Sequence, residues 1–187
     1  MIHSKESGIN PIQLLDKYYK DYAKLKEVLL AHGKSIYEMS KEISSLHPEY
    51  HINLPFMYEA SYLHDIGIYK TNVNKIGCFG TEVYLMHGII GGEIMRKEGY
   101  LDLAHACERH TGSGLDSNDL KKIGYEPPEK RIYIPQTIEE KLLCYCDKFF
   151  SKSDVTIKFT KQDILTKRSK YGDNVLQRMN DLFTLFK

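Results

Sequence analysis

"ASYLHDIGIYK", residues 60–70, is the stretch on which the reading of this chain turns. Ala60, Ser61 and His64 follow Met57 at three- and four-residue steps, so they share one helix face, and Gly67 ends the run. Upstream, Asn53 is a fitting cap and Pro55 a fitting first-turn residue. The inward face therefore delivers an imidazole and, beside it, the carboxylate of Asp65. Both resist burial unless something pairs with them.

The same anomaly recurs on either side. From Lys24, "KLKEVLLAHGKSIYEMSKEISSL" sets Ile36, Met39, Ile43 and Leu46 at helical spacing, with His32 four residues ahead of Ile36 on the same stripe. Thr81 is the expected cap of "EVYLMHGIIGGEIMRKEG", in which Val83, His87, Ile90 and Ile94 form one face. "YLDLAHACERHTGSG" continues with Leu103, Ala106, Cys107 and His110, then breaks at Gly112 and Gly114. A connection through Pro127, Pro128 and Pro135 leads to Thr137 and Glu140, a capping box for "IEEKLLCYCDKFFSKS", with Asp147 in its most apolar part. Two more helical patterns follow, one from about Thr160 and one carrying Val175, Leu176, Met179, Leu182, Phe183 and Phe186. Strand-like alternation is scarce, so the expected fold is an all-α helical bundle.

The 187 residues suit one domain over 1–187, with its core at about 24–152 and the helices of 153–187 packed on it. Lysine and arginine number 26 against 25 acidic residues, a balance that predicts no bulk nucleic-acid binding and leaves any such contact to a local patch. No run approaches the roughly 20 apolar residues that cross a bilayer, which predicts a cytoplasmic protein without membrane contact. Cys78, Cys107, Cys144 and Cys146 form no C-x-x-C pair, so buried free thiols are expected in place of disulfides or a thiolate zinc site.

One histidine on an apolar face is ordinarily a hydrogen-bonded core residue. Here His32, His64, His87 and His110 recur at inward faces or helix ends, and Asp65 and Asp147 bring carboxylates to similar surroundings. Imidazole and carboxylate around divalent cations account for the whole set, and nitrogen with oxygen ligation suits iron, manganese, zinc or nickel.

The order of His32, the "HD" pair His64 and Asp65, and Asp147 on a late helix resembles the HD-domain metal-dependent phosphohydrolase superfamily. "HDIG" at 64–67 matches its HDIG subset. The resemblance spans about residues 24–152, and His87 and His110 fill the positions of the two extra histidines found in members with two metals. It is similar in ligand order to symmetrical dinucleoside-tetraphosphate hydrolases, and closer still to a branch of small HDIG proteins that is mostly uncharacterised.

That resemblance implies one ion on His32, His64, Asp65 and Asp147, and a second on Asp65, His87 and His110. Asp65 would bridge the two divalent transition-metal ions and serve as the catalytic residue, a metal-bound hydroxide attacking phosphorus. The implied enzyme cleaves a phosphate ester or anhydride of a nucleotide or related small metabolite. A di-iron oxygenase on the same ligands and a non-catalytic nucleotide-binding sensor are the alternatives. Ile68 replaces the lysine that follows "HDIG" in cyclic-di-GMP phosphodiesterases, which excludes that specificity, while Lys70 is the candidate substrate contact. Arg109 and Lys148 adjoin proposed ligands but point about a hundred degrees away along a helix, and His105 should face elsewhere. "TKRSKYG" at 166–172 is a short basic patch, able to meet a phosphate only if the tail folds over the cleft. Oligomeric state is not written in the sequence.

Overall fold

A computed structural model describes residues 1–127, 131–154 and 156–187. Among these the chain is mainly helical: α1 (Pro11–Tyr18), α2 (Ala23–Leu46), α3 (Leu54–Leu63), α4 (His87–Lys97), α5 (Leu101–Arg109), α6 (Ser117–Lys122), α7 (Ile138–Asp147), α8 (Lys161–Arg168) and α9 (Asp173–Leu185). A two-residue hairpin, β1 (Asn72–Val73) against β2 (Cys78–Phe79), is the sheet they contain, antiparallel with Asn72 opposite Phe79. The all-α expectation holds. Pro128 of the predicted proline connection lies outside the described residues. None of the described helices is long and apolar enough to cross a membrane.

The local signals act as their chemistry requires. The Asn53 side chain accepts the Phe56 N–H at 3.1 Å and Pro55 sits in the first turn of α3, where a missing N–H costs nothing. Thr137 and Glu140 close a reciprocal capping box on α7, as Thr160 and Asp163 do on α8. Helix α7 is the axis of the bundle: from Ile138 to Asp147 every residue except Lys141 is buried. One apolar cluster runs from Leu14 on α1 to Phe186 just beyond α9, through Phe56, Met57, Leu63, Leu142 and Met179.

Thr81, by contrast, is not a cap. Glu82 donates its N–H to Lys70 O at 3.1 Å and Asn72 donates to Glu82 O at 2.9 Å, so this stretch is held as an extended partner of the hairpin. A 3-10 turn, Tyr84–Met86, follows, α4 begins only at His87, and Val83 is exposed instead of inward. Backbone pairing with residues distant along the chain outweighs the local capping signal.

Glycines bring α3, α4 and α5 unusually close. A Cβ on Gly67 would lie 2.3 Å from His87 O and 2.4 Å from Gly91 N, and one on Gly88 would lie 2.5 Å from Cys107 O. One on Gly92 would meet Glu108 Cγ at 2.4 Å. The turn after "HD" therefore presses directly on the backbone of α4, and α4 on α5. The ends of three helices carrying His64, His87 and His110 meet as a result.

The N-terminal segment is tied down by two buried carboxylates. Glu139 accepts from the Ser4 and Asn53 N–H groups at 2.8 and 3.0 Å, and Glu59 from those of Ser7 and Gly8 at 2.8 and 2.6 Å. Several N–H donors at once keep a buried carboxylate satisfied without a cation.

Candidate functional site

His32 projects from the middle of α2, His64 is the residue that ends α3, Asp65 lies in the following turn, His87 opens α4, His110 ends α5, and Asp147 is the last residue of α7. All six are buried. Ligand atoms of His32, His64, Asp65 and Asp147 lie within 4.8 Å of one another, as do those of Asp65, His87 and His110. The structure thus brings together every histidine and aspartate singled out from the sequence as a ligand, with Asp65 common to both groups.

The geometry within the cluster is that of groups aimed at shared points. Asp65 Oδ1 lies 3.2 Å from His87 Nε2 and 3.3 Å from His110 Nε2, and Oδ2 lies 3.2 Å from His64 Nε2. Yet neither Asp65 oxygen nor His64 Nε2 has a well-directed hydrogen bond, and His32 Nδ1 also lacks one. Buried polar atoms without an aligned donor or acceptor are groups that a cation would satisfy. Three rings are oriented from behind: His64 donates Nδ1–H to Ser61 O at 2.9 Å, His87 to Tyr84 O at 2.6 Å and His110 to Cys107 O at 2.7 Å. This fixes each ring's orientation and turns each Nε2 toward the cluster. The donor set fits a metal cation bound by imidazole and carboxylate.

Two lysines supply positive charge from just after α7. Lys152 Nζ lies 2.9 Å from Asp65 Oδ2 and 3.2 Å from Asp147 Oδ1. Lys148 pairs with Asp147 and donates to His110 O at 3.0 Å. Burial alone would raise the carboxyl pKa values, but His64 and Lys152 beside Asp65, and Lys148 and Lys152 beside Asp147, hold both well below the usual range. Burial lowers His32 to about 4 and His110 to about 3. For His64 the opposing charges of Asp65 and Asp147 overcome burial and raise it to about 9.

Above the cluster opens a cleft of about 280 Å³, reached past His87 and Asp147. Its walls carry Lys75, Lys148, Lys152, Lys167 and Arg168, against Asp147 as the one carboxylate among the described lining residues. The Tyr84 ring stacks on His87 at 4.5 Å and forms part of the same wall. Lys152, Tyr84 and the Lys167–Arg168 pair were not singled out from sequence as site residues. Lys167 and Arg168 of the basic run 166–172 do line the cleft, and Lys148, the residue that caps α7, turns inward onto Asp147 and His110 O. Lys70 is exposed, its ammonium 5.9 Å from the Tyr69 ring, and does not line the cleft. Arg109 points away to Glu140 at 2.8 Å, and His105 stands outside the cluster.

Comparison with known proteins gives a different functional direction. The chain is 31% identical over 138 residues to the tRNA (cytidine(56)-2'-O)-methyltransferase of Thermoplasma volcanium, a match covering 73% of this chain and 35% of that protein. It is 29% identical over 126 residues to the protein of the same name from Picrophilus torridus, covering 67% and 32%. A protein of Methanocaldococcus jannaschii, named only as uncharacterized, is 32% identical over 122 residues, 65% of this chain and 63% of the relative. The chain spans about a third of the length of the two methyltransferases it matches. No family model matches the chain, and no solved structure matches it.

These names overturn the expectation of an HD-domain phosphohydrolase. The activity named for the relatives is methyl transfer to a tRNA cytidine, and that reaction does not hydrolyse a phosphate ester or anhydride. The same finding sets aside the di-iron oxygenase and nucleotide-sensor alternatives. It also corrects the cofactor expectation, since methyl transfer draws on a methyl donor and not on a hydroxide held between two transition-metal ions. The partner expectation of a small nucleotide-like substrate without nucleic-acid binding falls with it, since the relatives are named for a tRNA. The physical reasons are plain. A histidine–aspartate order records which polar groups a helical bundle gathers and leaves open which bond is broken there. A net charge of +1 averages over the whole surface and hides a cleft whose local charge is strongly positive.

Proposed function

We propose that this chain, acting as one domain over residues 1–187, holds tRNA for methylation of a cytidine 2'-oxygen, gripping the RNA by its phosphates in the cleft above the histidine–aspartate cluster. The observation that supports this is the sign of the cleft: five cations line it against one carboxylate among the described residues, in a chain whose charges otherwise cancel. Phosphate contacts from lysine and arginine position a nucleic acid without reading its sequence. Lys75, Lys167 and Arg168 stand at the mouth, while Lys148 and Lys152 face inward on the buried carboxylates. The first three contact the phosphates and the inner two fix the floor.

The cluster beneath is the second part of the proposal. His32, His64, Asp65, His87, His110 and Asp147 hold a metal cation, Asp65 serving both groups of ligand atoms. A bound cation adds positive charge under the cleft, where a phosphate oxygen approaches. The protein's own residues do the rest. Backbone carbonyls of Ser61, Tyr84 and Cys107 orient three rings, and Tyr84 shields His87 from water. A cytoplasmic setting goes with a substrate of this kind.

The test is equilibrium binding of a tRNA transcript across salt concentrations. With three cations at the mouth, log affinity should fall against log salt with a slope of about −2 to −3. Ribose methylation of the transcript by the Thermoplasma volcanium methyltransferase, followed with labelled S-adenosylmethionine, should rise when the chain is present. Binding that is absent, or indifferent to salt, overturns the proposal.

A further inference from the structure

A second, smaller cavity adjoins the basic cleft, and resting on the RNA reading above, we infer that it receives one unpaired nucleobase of the bound RNA. It measures about 80 Å³ against about 280 Å³ for the cleft, and the two share Leu85, Gly112 and Arg168 as common walls. The smaller cavity is nearly all apolar, with Leu85, Leu115, Ile123 and Val175 on its faces and Tyr171 at its rim. Two chemistries thus lie side by side: cations suited to a phosphate, and a narrow apolar slot, open at its rim, that takes the edge of a flat ring. A nucleotide presents those two surfaces one sugar apart.

The rim supports this occupant over an aliphatic one. Tyr171 is 42% exposed, and the Arg168 guanidinium carbon lies 5.8 Å and the Lys170 ammonium 5.0 Å from its ring centroid. An exposed aromatic ring flanked by cations is the combination that stacks bases while holding the adjoining backbone. The slot's other wall is the turn 111–115, whose Gly112 and Gly114 have φ of +66° and +89°. That turn is braced by Arg178, which donates to Gly114 O at 3.1 Å and pairs with Asp116 and Asp119, each at 2.9 Å. The wall is therefore set before any ligand arrives.

The experiment measures binding of a short, fluorescently labelled single-stranded oligoribonucleotide by anisotropy, with a matching oligonucleotide carrying one abasic position. Tyr171→Ala should weaken binding of the normal oligonucleotide about tenfold, leave the salt slope unchanged, and cause no further loss with the abasic one. Ile123→Trp, which fills the slot from the opposite face, should reproduce that loss with an unchanged circular dichroism spectrum. If the oligonucleotide binds with the expected salt slope but neither variant nor the abasic position matters, the slot assignment is overturned while the phosphate grip stands. If no salt-dependent binding occurs at all, both fall together.

Discussion

His87 and His110 turn their Nε2 atoms toward each other at 2.9 Å while each ring gives its Nδ1 proton to a backbone carbonyl of its own helix turn. Two lone pairs meeting at that distance repel unless a proton or a cation lies between them. Burial resists the proton at His110, whose pKa falls to about 3. A cation at this point, as proposed above, would reconcile the pair, with Asp65 Oδ1 within 3.3 Å of both nitrogens.

Replacing either ring is the direct test. His110→Ala and His87→Ala should each lower the affinity for Mn²⁺ by at least about tenfold, the loss that removing a ligand exceeds if even its supporting partners carry that much. Isothermal titration reads the affinity without any assay of activity. His105→Ala, outside the cluster, should titrate like the parent.

Asp65→Ala removes the carboxylate common to both ligand groups and leaves Lys152 with Asp147 as its remaining carboxylate partner. Breaking a buried pair in this way destabilises by about 3 kcal/mol. Urea unfolding of the cation-free protein should show that loss as a lower midpoint with unchanged slope. A variant as stable as the parent would mean that Asp65 and Lys152 are not paired in the folded chain.

Gly67→Ala asks whether the close approach of the "HD" turn to α4 matters. The added methyl meets backbone atoms at 2.3 and 2.4 Å, which side-chain rotation does not relieve. We expect a loss of about 3 kcal/mol, together with weaker Mn²⁺ binding because His87 is pushed away from Asp65. Normal stability with normal cation binding would refute the contact.

The pH profile of the cation-free chain should have a maximum near the ordinary histidine value of 6.5. His64 is raised to about 9 by Asp65 and Asp147 against the effect of burial, so its contribution is complete below 6.5 and disappears as pH rises through 9. His32 and His110, lowered by burial to about 4 and about 3, take no proton in the folded state while the unfolded chain does, so stability falls as pH drops from 6.5 toward 3. Thermal unfolding across that range, with a chelator present, gives the curve. A plateau through both limbs would contradict these directions.

Lys167→Ala with Arg168→Ala should reduce the salt slope of tRNA binding by about 2, one for each phosphate no longer neutralised. Circular dichroism should be unchanged, since both residues reach solvent at the mouth.

Much of this arrangement is legible in the residues themselves. Helical spacing and caps such as Asn53 and Thr137 specify elements locally, and polar groups on otherwise apolar faces mark His32, His64, His87, His110 and Asp147 as neighbours in space. The start of α4 is not legible, because Glu82 is committed to Lys70 and Asn72, partners that spacing does not reveal. Nor are the cations of the cleft. Lys152 lies beyond the end of α7, where no periodicity says which way a side chain turns, and Lys167 and Arg168 reach the site only through the packing of α8 and α9. The reaction is the least legible feature of all, since imidazoles and carboxylates converge in the same way for very different chemistries.

The ammonium of Lys152, seated between the carboxylates of Asp65 and Asp147, gives the buried cluster a counter-charge of its own. Two buried carboxylates thereby keep a cationic partner that belongs to the chain itself. On the metal reading proposed above, an entering ion would compete with that tethered ammonium for the same oxygens.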